Sequence, residues 1–458
     1  MGYKSVHDSM GEIEIPEDAL YGAQTARAIK NFPVSGQPLP RNFIRSLLLA
    51  KLAAGEANCE LKLLDRRIYV ALAEAVQQLL ADPKMMSHFP VDVFQTGSAT
   101  STNMNANEVL ASLVSKRLGE TISPNDVINM GQSSNDLIPS CVHISALLAL
   151  DHSLLPSLNL LSETIRKKAV ALDEETKTGR THLMDAMPVR FSQVLGGWAS
   201  QIEQCHRQLE SMRPALSALA QGGTAVGTGV NTHQDFSRVF CEKLSLLTRT
   251  QFRPAEDFFS RMASHDTAVA LSGQLKTLAV AVMKISNDLR WMNSGPLAGL
   301  AEIALQPLQP GSSIMPGKVN PVIPEAACMV AAQVIGNDTA ITIGGQSGNF
   351  ELNVMQPLIA ANLLQSIEIL ANVSRLLANK AISDFKVNRQ QLTAALSRNP
   401  ILVTALTPKV GYELAAKIVK QAYQTQKPIL EVAQALTDLS QEELQQLLDP
   451  ERLTRGGL

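Results

Sequence analysis

LSGQLKTLAVAVMKISNDLRWM, residues 271–292, decides the fold class. Its apolar residues Leu271, Leu275, Leu278, Val282, Ile285, Leu289 and Met292 step alternately by four and three. That spacing puts all of them on one helical stripe, the seam that side-by-side helix packing requires. Leu195, Trp198, Ile202, Cys205, Leu209, Met212, Leu216 and Leu219 repeat the pattern. Ile359, Leu363, Ile367 and Leu370 repeat it less strictly, with Leu376 and Leu377 adding apolar weight. A fourth helix is expected over about 138–172, with Pro156 kinking or breaking it and Pro214 doing the same after the 195 run.

The central 136–390 therefore reads as a bundle of long helices, and the chain as mainly α. The seams are long for a lone subunit, so association through the same helices is inferred; an ordinary intrachain bundle has the same periodicity. Residues 1–135 carry shorter helical runs and more Gly, Asn, Ser and Thr. Residues 391–458 predict a small helical domain, with helices near 411–424 and 441–448 and turns at Pro400 and Pro408.

The full chain has 458 residues, 45% of them hydrophobic, enough for a real core. Its net charge of -2 gives no reason to expect nucleic acid or an anionic membrane as partner. The five cysteines are widely spaced with no CxxC, which argues against a disulfide framework and reads as small buried hydrophobes. No run of uninterrupted apolar residues reaches membrane-spanning length and the N-terminus has no signal-peptide pattern, so a cytoplasmic protein with no membrane span is expected.

Three segments concentrate polar residues away from the expected helices: QTGSATSTNMNANE (95–108), NMGQSSNDLIPS (129–140) and GSSIMPGKVNP (311–321). Any one alone reads as a surface loop. Three such clusters suit convergence on one pocket whose hydroxyls, amides and single lysine would take a small oxygen-rich anion such as a carboxylate. The third is not a nucleotide-phosphate loop: Gly311 and Gly317 are one residue too far apart, Val319 follows Lys318, and Pro316 lacks an amide. GGTAVGTG (222–229) fails the dinucleotide pattern because Thr232 stands at the third glycine position, and it reads as a tight turn or a mobile loop. The eight histidines show no metal-ligand spacing, so no metal is expected, and His143, His152, His233 and His265 read as packing or surface residues. His182 differs: in TGRTHLMDAMP (178–188), with Thr181 and Asp185 beside it and a helix expected next, it is a candidate general acid or base.

With these residues in view, GSSIMPGKVNP resembles the signature of the fumarase/aspartase superfamily. ALYGAQTARAIKNFP (19–33), TGSATSTNMNANEV (96–109), SPNDVINMGQSSND (123–136), GRTHLMDAMP (179–188), GNDTAITIGGQSGNFELNVMQP (336–357) and DPERLTRGGL (449–458) resemble class II fumarases in the same order. The resemblance implies a mainly α, three-domain subunit, divided here at 1–135, 136–390 and 391–458. It also implies a homotetramer whose core is the long helix bundle, with active sites shared between subunits. The implied reaction is reversible addition of water to fumarate, giving L-malate, with a small dicarboxylate as the only partner and no cofactor.

Carried over residue by residue, the resemblance makes Ser312 the base that takes a proton beside a substrate carboxylate. Lys318 and Asn320 would hold that carboxylate, and Ser313 would help to bind it or the loop. Thr181 and His182 would serve the opposite face, with Glu325 charge-paired to His182. Ser98, Thr100, Ser133, Ser134 and Asn135 would bind substrate oxygens. Ser123, Asn125 and Asp126 would correspond to a secondary carboxylate site. The chemistry needs these types, because proton loss creates a dianionic aci-carboxylate that preorganised donors must stabilise. Gly311 and Gly317 would act as hinges for the loop.

Two departures stand out. Ala99 replaces a glycine usual in the family, and a methyl there would crowd the pocket or shift the loop. Ser123 replaces a histidine, and losing that cationic donor predicts weak or absent dicarboxylate binding at the secondary site. Ser134 and SGNFELNV (347–354) favour a fumarase over an aspartase, whereas PVIPEA (321–326) reads more like an aspartase. A catalytically silent helical scaffold is the contrasting reading, disfavoured because Ser312, Lys318, Asn320, His182 and Glu325 are all present.

Overall fold

The structure is a computed structural model that describes residues 2–456, so Met1 and the last two residues of the 449–458 tail lie outside it. Helices dominate, and the strands described form four two-stranded sheets. The 271–292 seam lies on one helix, Asp266–Met292, with Leu271, Leu275, Leu278, Val282, Ile285 and Leu289 fully buried. Gln356–Leu377 is likewise one helix, burying Ile359, Leu363, Ile367 and Leu370.

The 195–219 run is shorter than its periodicity suggests. Helix Phe191–Glu210 ends before Met212, and Pro214 sits in a separate short helix, Arg213–Leu216. Pro156 has a milder effect. Helix Ser134–Ala149 passes through a π-helical turn, Leu150–Leu154, into Leu155–Ala171, so the ladder widens just ahead of the missing N–H.

Two expectations need correction, and one helix had no counterpart among them. The N-terminal region holds long helices, Arg41–Glu60, Arg66–Ala81 and Thr100–Leu118, and the polar 95–108 segment includes the start of the third. Asn103, Asn105 and Asn107 are buried there, so amides stand where a seam reading looks for leucines. Pro400 and Pro408 open helical turns, Pro400–Leu406 and Thr407–Val410, because a fixed φ suits the first turn. Helix Val322–Gln346 went unseen because its apolar residues spread around the whole circumference rather than along one stripe.

Helices Ser134–Ala171, Asp266–Met292 and Val322–Gln346 are long and apolar enough, by length and composition, to cross a membrane. No uninterrupted apolar run in them is long, because scattered polar and charged residues such as Ser, Thr, Asn, Gln, His, Asp and Lys break every run. Of the cysteines, Cys141, Cys205 and Cys241 are buried as expected, whereas Cys59 and Cys328 are only half-buried; all five are free thiols.

The chain forms two compact units. One comprises Met1–Pro156, Arg207–Ala279 and Ala332–Ala371, the other Ser157–His206, Val280–Ala331 and Asn372–Leu458. Within the second unit, Leu402, Leu406, Ile418, Ala433 and Leu444 belong to a hydrophobic cluster drawn only from the C-terminal helices.

Candidate active site

In the second unit, loop 311–321 is tied to itself. Gly311 N–H donates to the Lys318 carbonyl (2.8 Å), and the Asn320 amide donates to the Gly311 carbonyl (2.8 Å). Lys318 Nζ in turn donates to Asn320 Oδ1 (2.7 Å). A Cβ on Gly311 would lie 2.7 Å from the Lys318 carbonyl oxygen, and Gly317 has φ +82°. Both glycines thus have a local reason, close approach in one case and a left-handed backbone in the other. Inside the loop, the backbone N–H groups of Ile314 and Met315 donate to Ser312 Oγ at 3.2 and 3.1 Å. Ser313 is exposed. Glu325 lies in the first turn of Val322–Gln346, where the free N–H groups favour an anion. Lys318, Asn320 and Glu325 border one cleft of ≈ 700 Å³, together with Asn287, Arg290 and Asn388. Ser312 and Lys318 border a second of ≈ 410 Å³.

His182 does not precede a helix. It is the first of two residues at the tip of an antiparallel hairpin, Thr176–Thr181 with Met184–Arg190, and Thr181 pairs with Met184. His182 and Leu183 have φ of 57° and 62°. A two-residue hairpin turn of that hand is usually Asn-Gly, so the tip carries backbone strain. Within one chain, no hydrogen bond or ion pair among the described residues joins His182 to Glu325.

The hairpin is anchored by a residue the sequence reading did not single out. The buried Glu302 carboxylate meets Arg180 Nη1 at 2.7 Å and Lys177 Nζ at 3.0 Å. Burial lowers the Lys177 pKa and the Glu302 carboxylate opposes that shift. No motif marks this triad, because its members become neighbours only through the fold.

In the first unit, Ser133 caps helix Ser134–Ala149 with a capping box closed by Asp136. Asp136 is fully buried and accepts from the N–H groups of Ser133 (2.9 Å), Gly222 (2.9 Å) and Thr224 (2.9 Å), and from Gln221 Nε2 (3.0 Å). Burial pushes its pKa up to about 6 against these donors. The 222–229 segment is thus a turn, as expected, and its amides hold the helix start. Asn135 Nδ2 donates to the Ala225 carbonyl (2.8 Å), and Ser134 Oγ accepts from Asn103 Nδ2 (3.0 Å). Asp136 and Asn103 lay inside quoted motifs; only burial shows their roles.

Ser98 Oγ lies 2.8 Å from Thr100 Oγ1, across Ala99. Ala99 has φ 54°, a left-handed backbone that explains the glycine usual in the family. Ala99 has no exposed surface, so its methyl meets protein rather than a ligand cavity, and backbone strain replaces the expected crowding. Ser123 Oγ accepts from the Asp126 N–H (3.1 Å) and donates to Asp126 Oδ2 (2.7 Å). The 123–126 segment is therefore satisfied internally, and Asn125 adds no hydrogen bond to it.

Residues 11–336 match the family described as "Lyase", and residues 402–455 match "Fumarase C C-terminus". The chain is 64% identical to fumarate hydratase class II 2 of Pseudomonas aeruginosa, over 98% of each chain. It is 48% identical to fumarate hydratase class II of Mycobacterium tuberculosis, covering 93% of this chain and 90% of that one. Its fold is similar to the crystal structure of recombinant class II fumarase from Schistosoma mansoni, with TM-score 0.95, 37% identity and 99% coverage of both. Helical bundle, signature loop and full-length similarity agree that the chain belongs to the class II fumarate hydratase family of lyases.

Proposed function

We propose that the protein is a fumarate hydratase that interconverts L-malate and fumarate by anti elimination and addition of water. The observation that carries this reading is the pair of N–H groups on Ser312 Oγ. A serine hydroxyl is a weak base in water, and two fixed donors stabilise its alkoxide. The alkoxide takes the proton from the carbon beside the substrate carboxylate. The C–H electron pair moves into that carboxylate, giving an aci-carboxylate with two negative charges. Lys318 keeps two ammonium hydrogens beyond the one on Asn320, and these hold the charge. The dianion then collapses, the carbon–carbon double bond forms, and the hydroxyl on the other face leaves as water with a proton from His182. Ser313 and Thr181 help to position the substrate.

Ser98, Thr100, Ser133, Ser134 and Asn135 complete the binding set in this reading. Because Asn103 donates to Ser134 Oγ, one lone pair of that oxygen is taken and its hydrogen remains available as a donor. That favours a hydroxyl or carboxylate oxygen as its partner over the ammonium group of aspartate.

A homotetramer with shared sites belongs to the same proposal, and there Glu325 of one subunit would charge-pair His182 of another. Support comes from helices whose most apolar stretches are only 50% buried (Asp266–Met292) and 33% buried (Val322–Gln346) in one chain. Val280, Trp291, Met329 and Ile343 lie exposed on them. The three-domain division at 135 and 390 is also proposed, supported at its C-terminal end by the separate cluster.

Purified protein, without added metal, mixed with L-malate should give fumarate absorbance in the ultraviolet, and L-aspartate should give none. Turnover of aspartate alone would replace this reading with an aspartase. Titration of a dicarboxylate into protein whose active site is already filled should show no second site at Ser123, Asn125 and Asp126. A firmly bound second molecule there would contradict this.

A further inference from the structure

We propose that Lys51 is a positioning residue for substrate: its ammonium sets the Ser134 hydroxyl through Asn129 and Asn103 and supplies positive potential beneath the substrate carboxylates. The inference rests on the fumarate hydratase reading and deepens it.

Lys51 lies on helix Arg41–Glu60 with no exposed surface. Its Nζ donates to Asn129 Oδ1 (2.9 Å) and Gln132 Oε1 (3.0 Å), and no carboxylate accepts from it among the described residues. Asn129 Oδ1 also accepts from Asn103 Nδ2 and Asn107 Nδ2, each at 3.2 Å. The other hydrogen of Asn103 Nδ2 is on Ser134 Oγ (3.0 Å). One buried cation thus fixes a carbonyl, the carbonyl fixes an amide, and the amide fixes the hydroxyl proposed to meet substrate.

A neutral side chain would hold those amides at lower cost, because a buried charge that no carboxylate accepts from directly is expensive. A cation kept there acts on opposite charges beyond its own hydrogen bonds, the Asp136 carboxylate among them. A dicarboxylate is such a charge, and the low-dielectric surroundings carry the field to it with little screening. Two titratable groups on helix Ser134–Ala149 act on Lys51: the Asp136 carboxylate and the Cys141 thiol. Burial raises the pKa of Cys141, which keeps it a neutral thiol, and Asp136 is anionic above about pH 6. Burial lowers the Lys51 pKa to about 7, an effect the Asp136 carboxylate opposes. Its charge is therefore full below that value and falls as pH rises through it, and substrate affinity falls with it.

The test measures KM and kcat for L-malate with the wild type, Lys51→Met and Lys51→Arg, from about pH 6 to about pH 8.5. Wild-type KM should rise across that range. Lys51→Met should raise KM about tenfold at the acid end and remove its pH dependence, with kcat changed less than about threefold. Lys51→Arg, charged at every pH, should restore low KM and keep it flat. A purely structural lysine would lower stability or kcat without this split. A wild-type chain inert on malate overturns the functional reading and this inference together. An active wild type whose Lys51→Met variant keeps its KM and pH profile overturns the inference alone. If Lys51→Met does not fold, a flat wild-type KM does the same.

Discussion

Ser312→Ala should lower kcat on L-malate by about a thousandfold, within the range general-base removal produces, while KM moves only a few-fold. Lys318 and Asn320 hold each other and the Gly311 backbone without Ser312, so the binding face of the loop outlasts the substitution. What disappears is the one oxygen onto which Ile314 and Met315 direct their N–H groups. Ile314 is 84% exposed, so in the variant both amides turn to water at little cost. Thermal unfolding of the variant should match the wild type. That separates lost chemistry from lost structure, and near-normal kcat would remove serine from the base role. With Ser312 as the base, its half-buried place beside the exposed Ile314 means that one chain alone would not shield its alkoxide from water. In that reading a closing loop or a neighbouring subunit would supply the cover.

Asp136→Ala should have the largest effect on stability, a loss of about 3–5 kcal/mol read from urea unfolding. The substitution removes one buried carboxylate and strands four donors, three of them backbone N–H groups with no water to replace the acceptor. Asp136→Asn should cost less, about 1–3 kcal/mol, because one amide oxygen can still serve the Gln221, Gly222 and Thr224 side. Its NH₂ group then faces the Ser133 N–H. Equal losses for the two variants would mean that charge, not acceptor geometry, holds the 222–224 turn to the helix start. Ser133, Ser134 and Asn135 sit on that helix start, so both variants should also raise KM for malate. Retained wild-type stability in Asp136→Ala would show that the donors find other partners.

The 271–292 seam was legible because a leucine stripe has one physical use in a helix that packs on others. Val322–Gln346 was not legible, since a helix apolar on all sides has no stripe to find. The same limit applies to 195–219, where periodicity continues past Glu210 although Pro214 starts a different helix. At the candidate site, Ser312, Lys318 and Asn320 were readable as a contiguous block of unusual composition. His182 was readable as a residue but not as a hairpin tip, because its turn uses His-Leu where Asn-Gly would have announced it. Glu302, Asp136 and Lys51 were out of reach. Each is a charge whose meaning lies in its burial and in partners distant along the chain.

The turn at Ser98 and Thr100 has a bearing on when the protein can become active during synthesis. Gly97 is pressed against Val354, where a Cβ would lie 1.7 Å from the Val354 carbonyl oxygen, and its own carbonyl accepts from the Gln356 N–H (3.0 Å). Residues 97 and 356 must meet to complete that turn, which makes it a contact of very high order. A nascent chain has made Ser98 and Thr100 early, yet it cannot seat them until residue 356 has left the ribosome. The Ser98–Thr100 turn is therefore among the last parts of its unit to form, and a chain truncated before residue 356 leaves it unmade however well the earlier helices have folded.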